Sequence, residues 1–147
     1  MTSRRSQVAK SAWQPDPLTV GGWGSTVSEV HDYRQLAVWK RAHALVLAVY
    51  SATRHFPRSE ELGLSSQMRR AAASVPTNLA EGAGSSTDRA FGRFIGYSVA
   101  SSLELEYQIM LARDLAYLEP KAAASLHREL GEIRGMLLAL GRSLKQR

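Results

Sequence analysis

The chain has 147 residues, 44% of them apolar, a formal charge of +6 and no cysteine. That length and apolar share make one domain with a real core, and the lack of thiols excludes disulfides, thiolate metal sites and cysteine nucleophiles. A pI near 10.1 favours acidic partners: nucleic acid, an acidic protein or an anionic surface.

Residues 1–30 hold Pro15, Pro17, Gly21, Gly22 and Gly24 among Ser and Thr with no helical or strand period. They read as a flexible, disordered arm ahead of a domain at 31–147. Trp13 and Trp23 are two sticky aromatics on that arm, with pinning to the bundle or to a partner as the alternative. Ser3-Arg4-Arg5 opens like a twin-arginine signal, but no apolar segment follows it. No run of about 18 apolar residues exists. Ala44–Tyr50 is the longest clean stretch, so no membrane span and a cytoplasmic location are expected.

The first helix is predicted from about Asp32 to His55, with Asp32 as its cap. Its buried stripe reads Trp39, Ala42, Val46, Val49, Tyr50 and Thr53. Phe56-Pro57 ends it, because the residue before a proline leaves the helical region. Arg54, His55 and Arg58 crowd this corner; they complement the helix's carboxyl end, with ligand binding as the rival role. Ser59-Glu60-Glu61 supplies a cap and an acidic first turn for the second helix.

That second helix, Leu64–Gly82, puts Leu64, Met68, Ala71, Ala72, Val75 and Leu79 on one side. Pro76 sits inside, where it removes one backbone hydrogen bond and crowds the carbonyl of Ala72. Because the apolar spacing continues beyond it, Pro76 is predicted to kink the helix without ending it. Arg69, Ala73, Pro76 and Ala80 form a strip thin enough for a second backbone. Gln67, Arg70, Ser74, Thr77, Asn78 and Glu81 make the polar face. Gly82-Ala83-Gly84-Ser85-Ser86 then reads as a stop and a loop.

Thr87-Asp88 caps a third helix to about Ala116, with a stripe of Phe91, Phe94, Ile95, Ser98, Ser102, Leu105, Ile109, Ala112 and Ala116. Its back carries Tyr97, Ala100, Leu103, Tyr107 and Leu111, so it is apolar on two sides and expected to be covered on both, the second time by another copy of the chain. Leu118-Glu119-Pro120 turns into the last helix. Here Leu126, Leu130, Ile133, Leu137, Leu140 and Leu144 alternate steps of four and three. Arg142, Lys145 and Arg147 complement its dipole. The fold predicted is all-α, an antiparallel up-down-up-down four-helix bundle.

The chemistry legible here is sparse. No Glu-x-x-His pair for a di-iron site occurs, and His31, His43, His55 and His127 are dispersed. His43, on the rim of the first stripe, reads as a partly buried, hydrogen-bonded side chain. Gly82-Ala83-Gly84 is too short for a phosphate loop and leads to no lysine. No catalytic residue, metal or cofactor is therefore expected. Glu104 and Glu106, two apart, point to different faces, each toward a polar partner among Arg69, Arg70 and Asn78. The candidates for phosphate contact are Arg54, Arg58, Arg69, Arg70, Arg89 and Arg93, whose planar forks suit phosphate oxygens. No aromatic comb accompanies them, so binding would be led by the backbone and weakly selective. The rival class is a structural or protein-interaction module whose charge only keeps it soluble.

Leu36-Ala37-Val38-Trp39-Lys40, Phe56-Pro57, Glu61-Leu62-Gly63-Leu64-Ser65-Ser66-Gln67-Met68-Arg69-Arg70, Ser74-Val75-Pro76-Thr77-Asn78-Leu79-Ala80-Glu81-Gly82, and later Ser101 with Glu104 carry a resemblance. Over about residues 31–145 the chain resembles the four-helix-bundle proteins encoded in intervening sequences of bacterial 23S ribosomal RNA genes. Ser85 stands where that family usually has Arg, and Ala100 where it has Gly. The resemblance implies a homopentamer. A distant relative, the accessory protein of diversity-generating retroelements, is a basic pentamer that binds nucleic acid and a reverse transcriptase. By that analogy the chain is a non-enzymatic RNA- or DNA-binding protein, or a scaffold for a nucleic-acid enzyme. An oligomer interface would then involve Ala73, Pro76, Ala80, Leu103, Tyr107 and Leu111.

Overall fold

The computed structural model describes residues 32–147; the arm expected at 1–30, with Trp13 and Trp23, lies outside them, as does His31. Four helices follow one another: α1 Ala37–Thr53, α2 Leu64–Ala83, α3 Asp88–Asp114 and α4 Pro120–Lys145. No strand occurs among the described residues, and no helix there is long and apolar enough to cross a membrane.

Helix α1 starts later than expected. Asp32 Oδ1 accepts from Arg34 N at 3.1 Å, but this caps a 3-10 turn over Tyr33–Gln35, and Leu36 is extended (ψ 125°) before the helix begins. The cap is spent on a single closed turn. Likewise Ser59 does not cap α2: Arg58–Glu60 forms a 3-10 turn, and the Glu60 carboxylate reaches forward to Leu64 N at 2.9 Å. Thr87 caps α3 as expected, its Oγ1 accepting from Ala90 N at 3.1 Å, and Pro120 opens α4.

α2 runs unbroken through Pro76. The three carbonyls beside the proline each receive an additional side-chain donor. Thr77 Oγ1 donates to Ala73 O (2.8 Å), Asn78 Nδ2 to Ser74 O (2.8 Å) and Ser98 Oγ to Val75 O (2.9 Å). A proline disturbs the ladder of the preceding turn; these donors, two from α2 itself and one from α3, do not replace the bond lost at Ala72 O but tie down the carbonyls next to it. Gly82 does not stop the helix. It lies buried inside α2, and Ala83 is the last helical residue.

The helices form a ring in chain order: α1 and α3 each pack on α2 and α4, and the diagonal pairs do not meet. Val75 pairs with Ser98 and Gly82 with Phe91, while Glu106 pairs with Arg134 and Gly141 meets Ile95. Partners thus move in opposite directions along neighbouring helices, the antiparallel up-down-up-down arrangement. Met68, Leu79, Leu105, Ile109, Leu130, Ile133 and Leu137 are wholly buried at the centre. Burying one such side chain stabilises by roughly 1.5–3 kcal/mol.

The stripe of α1 is set one residue away from the expected phase. Val38, Ala42, Leu45, Val49 and Thr53 are buried, Trp39 and Val46 are half-buried, and Tyr50 is exposed. Trp39 sits beside Tyr33 and stacks on His43 instead, ring centroids 5.2 Å apart in both pairs. His43 is exposed and stacked rather than partly buried. On α3, Ile95, Ser98, Ser102, Leu105, Ile109 and Ala112 are buried as expected, while Ala116 lies past the helix end, exposed.

Candidate nucleic-acid interface

The six candidate arginines sort into three places. Arg54, at the carboxyl end of α1, Arg58 of the following turn and Arg69 of α2 line one recess of about 370 Å³ with Thr53, Ser65 and Glu61. Arg69 is held there: its Nε donates to Thr53 Oγ1 at 2.8 Å, and its guanidinium lies 4.8 Å from the centre of the Tyr50 ring. That cation–π contact accounts for Tyr50 standing outside the core. Arg54 and Arg58 are exposed and form no ion pair among the described residues.

Arg70, one residue on, faces a different recess. With Gln67, Ser74, Thr77 and Glu104 it lines a polar depression of about 770 Å³ along α2 and α3. Beneath it Asn78 donates to Ser74 Oγ at 3.0 Å, and Ser74 and Ser101 share a hydrogen bond of 2.8 Å. These motif residues therefore hold α2 to α3. Neither glutamate takes the partner expected for it. Glu106 pairs with Arg134 of α4 (2.7 Å), and exposed Glu104 accepts from Gln108 Nε2 at 3.3 Å. α4 brings Arg134 across the bundle, a pairing that spacing within one helix cannot reveal. Among the described residues the Oε1 of buried Gln108 and the Nε2 of half-buried His127 have no hydrogen-bond partner. Glu81 is exposed near the end of α2.

Arg89 and Arg93 lie at the start of α3 and share a groove of about 710 Å³ with Arg142 and Lys145 of α4. Sequence reasoning assigned the last two only to the dipole of α4. Their meeting with Arg89 and Arg93 follows from the antiparallel packing of α3 and α4. None of the four forms an ion pair among the described residues.

Four other cations, Arg34, Arg41, Arg113 and Arg134, are held in ion pairs. Arg41 of α1 bonds Glu129 Oε1 (2.8 Å) and Glu132 of α4. Hydrogen bonding to Glu129, then to Glu132, raises the Arg41 pKa, and the same bond holds the Glu129 carboxyl below its ordinary value. Arg34 lowers the Asp32 carboxyl in the same way, chiefly through its side-chain hydrogen bond. Among the described residues no cluster of three His, Asp or Glu side chains could hold a metal ion.

The apolar back of α3 is open. Tyr97 is 50% exposed, Leu103 49% and Tyr107 58%; Ala100 is exposed too, and Leu111 is half-buried against the core. The thin strip on α2 is used differently from the expectation. Pro76 is buried, and with Ala73 and Thr77 it faces Trp39, His43 and Val46 of α1 across a shallow depression. Pro76 is buried beside α1 of the same chain, so it is not free for another copy. Ala73 and Ala80 remain half-buried.

Fold and surface together define an antiparallel four-helix bundle in which cations without an ion pair among the described residues gather at several places. The chain belongs to the 23S rRNA-intervening sequence protein family, whose model matches residues 34–139. It is also similar to the crystal structure of a protein of unknown function from the S23 ribosomal protein family of Bacteroides thetaiotaomicron. That likeness has a TM-score of 0.67 at 17% identity and covers 71% of this chain and 97% of that one. No curated protein matches it.

Proposed function

We propose that the protein is a non-enzymatic, basic, homo-oligomeric bundle that binds the backbone of RNA or DNA in the cytoplasm. The observation that carries this reading is the convergence of Arg54, Arg58 and Arg69 on one recess. Two of these guanidinium groups form no ion pair among the described residues, and the third is oriented by Thr53 and Tyr50. Oriented planar forks beside free ones suit phosphate oxygens. Arg70 extends the positive surface along α2, and Arg89 and Arg93 add to the long-range field. The recess contains Phe56 but no series of aromatic faces, so contact is with phosphate rather than with stacked bases. By the family resemblance the assembly is a pentamer, and by analogy with the distant accessory protein of diversity-generating retroelements it serves a nucleic-acid enzyme such as a reverse transcriptase; repetition of each patch multiplies the modest charge of one chain.

The test is binding of single-stranded RNA and DNA oligonucleotides, followed by anisotropy across a salt series. If one patch meets about 4 phosphates, log K falls with log salt at a slope of roughly −3. Arg54→Glu with Arg58→Glu should weaken binding at all sequences alike and flatten that slope. Absence of binding at about 50 mM salt, or binding that neither salt nor these substitutions change, would favour the rival reading of a protein-interaction module.

A further inference from the structure

The groove between the start of α3 and the end of α4 does not resemble the polar recess at Arg54. Its floor is apolar, formed by Ile95, Val99, Leu137, Leu138 and Leu144, with Leu138 47% exposed. Gly92 and Gly96 notch the α3 wall, and a β-carbon on either would meet nothing within 4 Å. Four cations rim it: Arg89, Arg93, Arg142 and Lys145. From this combination we infer that the groove docks an acidic amphipathic helix of a partner protein, laying its apolar face on Leu138 and the glycine notches and its carboxylates on the cationic rim.

Charge and shape select this occupant. Seating a helix in a groove needs an apolar trough of this size and a close approach of backbones, which glycines permit. A nucleic-acid backbone fits less well, since its phosphates could use the cationic rim but would leave the apolar floor of Ile95, Val99, Leu137 and Leu138 without an apolar partner. Two copies meeting face to face would set eight like charges together, twice the four on one rim. The chain's own first 31 residues hold Arg4, Arg5 and Lys10 against Asp16 and Glu29, the wrong sign for a basic rim. The inference concerns a different surface from the Arg54 recess and does not depend on it.

The experiment uses the full chain and a synthetic peptide of about 20 residues, long enough to form a helix, with Leu on one face and Glu on both flanks. A scrambled peptide of identical composition, a single-stranded RNA and decanoate are the comparison ligands. The designed peptide should bind more tightly than its scramble. Gly92→Gln with Gly96→Gln, whose β-carbons would meet nothing within 4 Å, places side chains in the notch and should weaken peptide binding by at least about tenfold, as should Arg89→Glu with Arg93→Glu. RNA binding should survive the glutamine pair. The proposal is overturned if the scramble binds equally or if the glutamine pair leaves peptide binding unchanged. It is also overturned if that pair abolishes binding of RNA, or of decanoate while the peptide does not bind. Loss of RNA binding through Arg54 and Arg58 alone would bear only on the other recess.

Discussion

Gly82 of α2 and Phe91 of α3 are packed so closely that a β-carbon on Gly82 would stand 2.6 Å from Phe91 Cδ2 and 2.9 Å from Phe94 Cβ. This glycine is kept for space rather than for ending the helix. Gly82→Ala should gain about 1 kcal/mol of helix propensity and lose roughly 1–3 kcal/mol to overpacking. A net loss of stability is expected, read as a lower urea midpoint with an unchanged slope. A variant at least as stable as the parent would show that the two helices can part at no cost.

Ala116 invites the opposite change. Its φ of 62° is the left-handed conformation, used where the chain leaves α3 and Tyr117 N turns back to Ala112 O at 2.9 Å. A β-carbon in that region costs roughly 1–2 kcal/mol, while glycine adds freedom to the unfolded chain. Ala116→Gly should therefore raise stability by about 0.5–1 kcal/mol. Calorimetry showing an unchanged or lowered midpoint would contradict this.

The Arg41–Glu129 pair makes stability depend on acid. Arg41 holds the Glu129 carboxyl below its ordinary 4.5 in the folded state, so the unfolded chain binds more protons as the pH drops. The stabilisation is complete above about 4.5 and is lost as pH falls through the lower, folded value. Both side chains are 38% exposed, so after solvent screening the effect should be no more than about 0.5–1 kcal/mol. Glu129→Gln should be less stable than the parent near neutrality, with the gap closing on acidification. Melting curves that stay equally separated from pH 7 to pH 3 would remove Glu129 as the source.

The open back of α3 predicts self-association. Contiguous apolar patches of this kind are rarely left bare in monomers beyond a few hundred Å². Leu103→Glu with Tyr107→Glu should leave helicity intact, because both side chains are about half exposed or more, and should reduce the sedimenting mass. Leu111 is a poorer choice because it packs partly on the core. A parent protein that sediments as a monomer at micromolar concentration would end this proposal.

The number and order of helices were legible because each apolar period is bounded by clear punctuation: Phe56-Pro57, Gly84 to Thr87, and Glu119-Pro120. The phase of α1 was not. Ala44–Tyr50 is apolar at every position, so a one-residue rotation leaves the pattern nearly as good, and only the contacts of Tyr50 with Arg69 and of Trp39 with Tyr33 and His43 break the tie. At the candidate sites the exposed arginines were legible as residue types, but their grouping was not. Arg54 and Arg69 line one recess across a turn, and Arg89 shares a groove with Arg142 because two helices run in opposite directions. Glu106 found Arg134 for the same reason.

The ring order of the helices carries a consequence for how the chain assembles in time. α2 and α3 share the most extensive interface and are joined by only the residues 84–87, so their docking closes a short loop at small entropic cost. α1 and α4 touch more sparsely and bring together distant parts of the chain. The α2–α3 hairpin is thus placed to act as the folding nucleus, with α1 joining last and detaching first. In native-state hydrogen exchange, amides of α1 should open through sub-global fluctuations, while those around Val75 and Ser98 exchange only when the whole molecule unfolds.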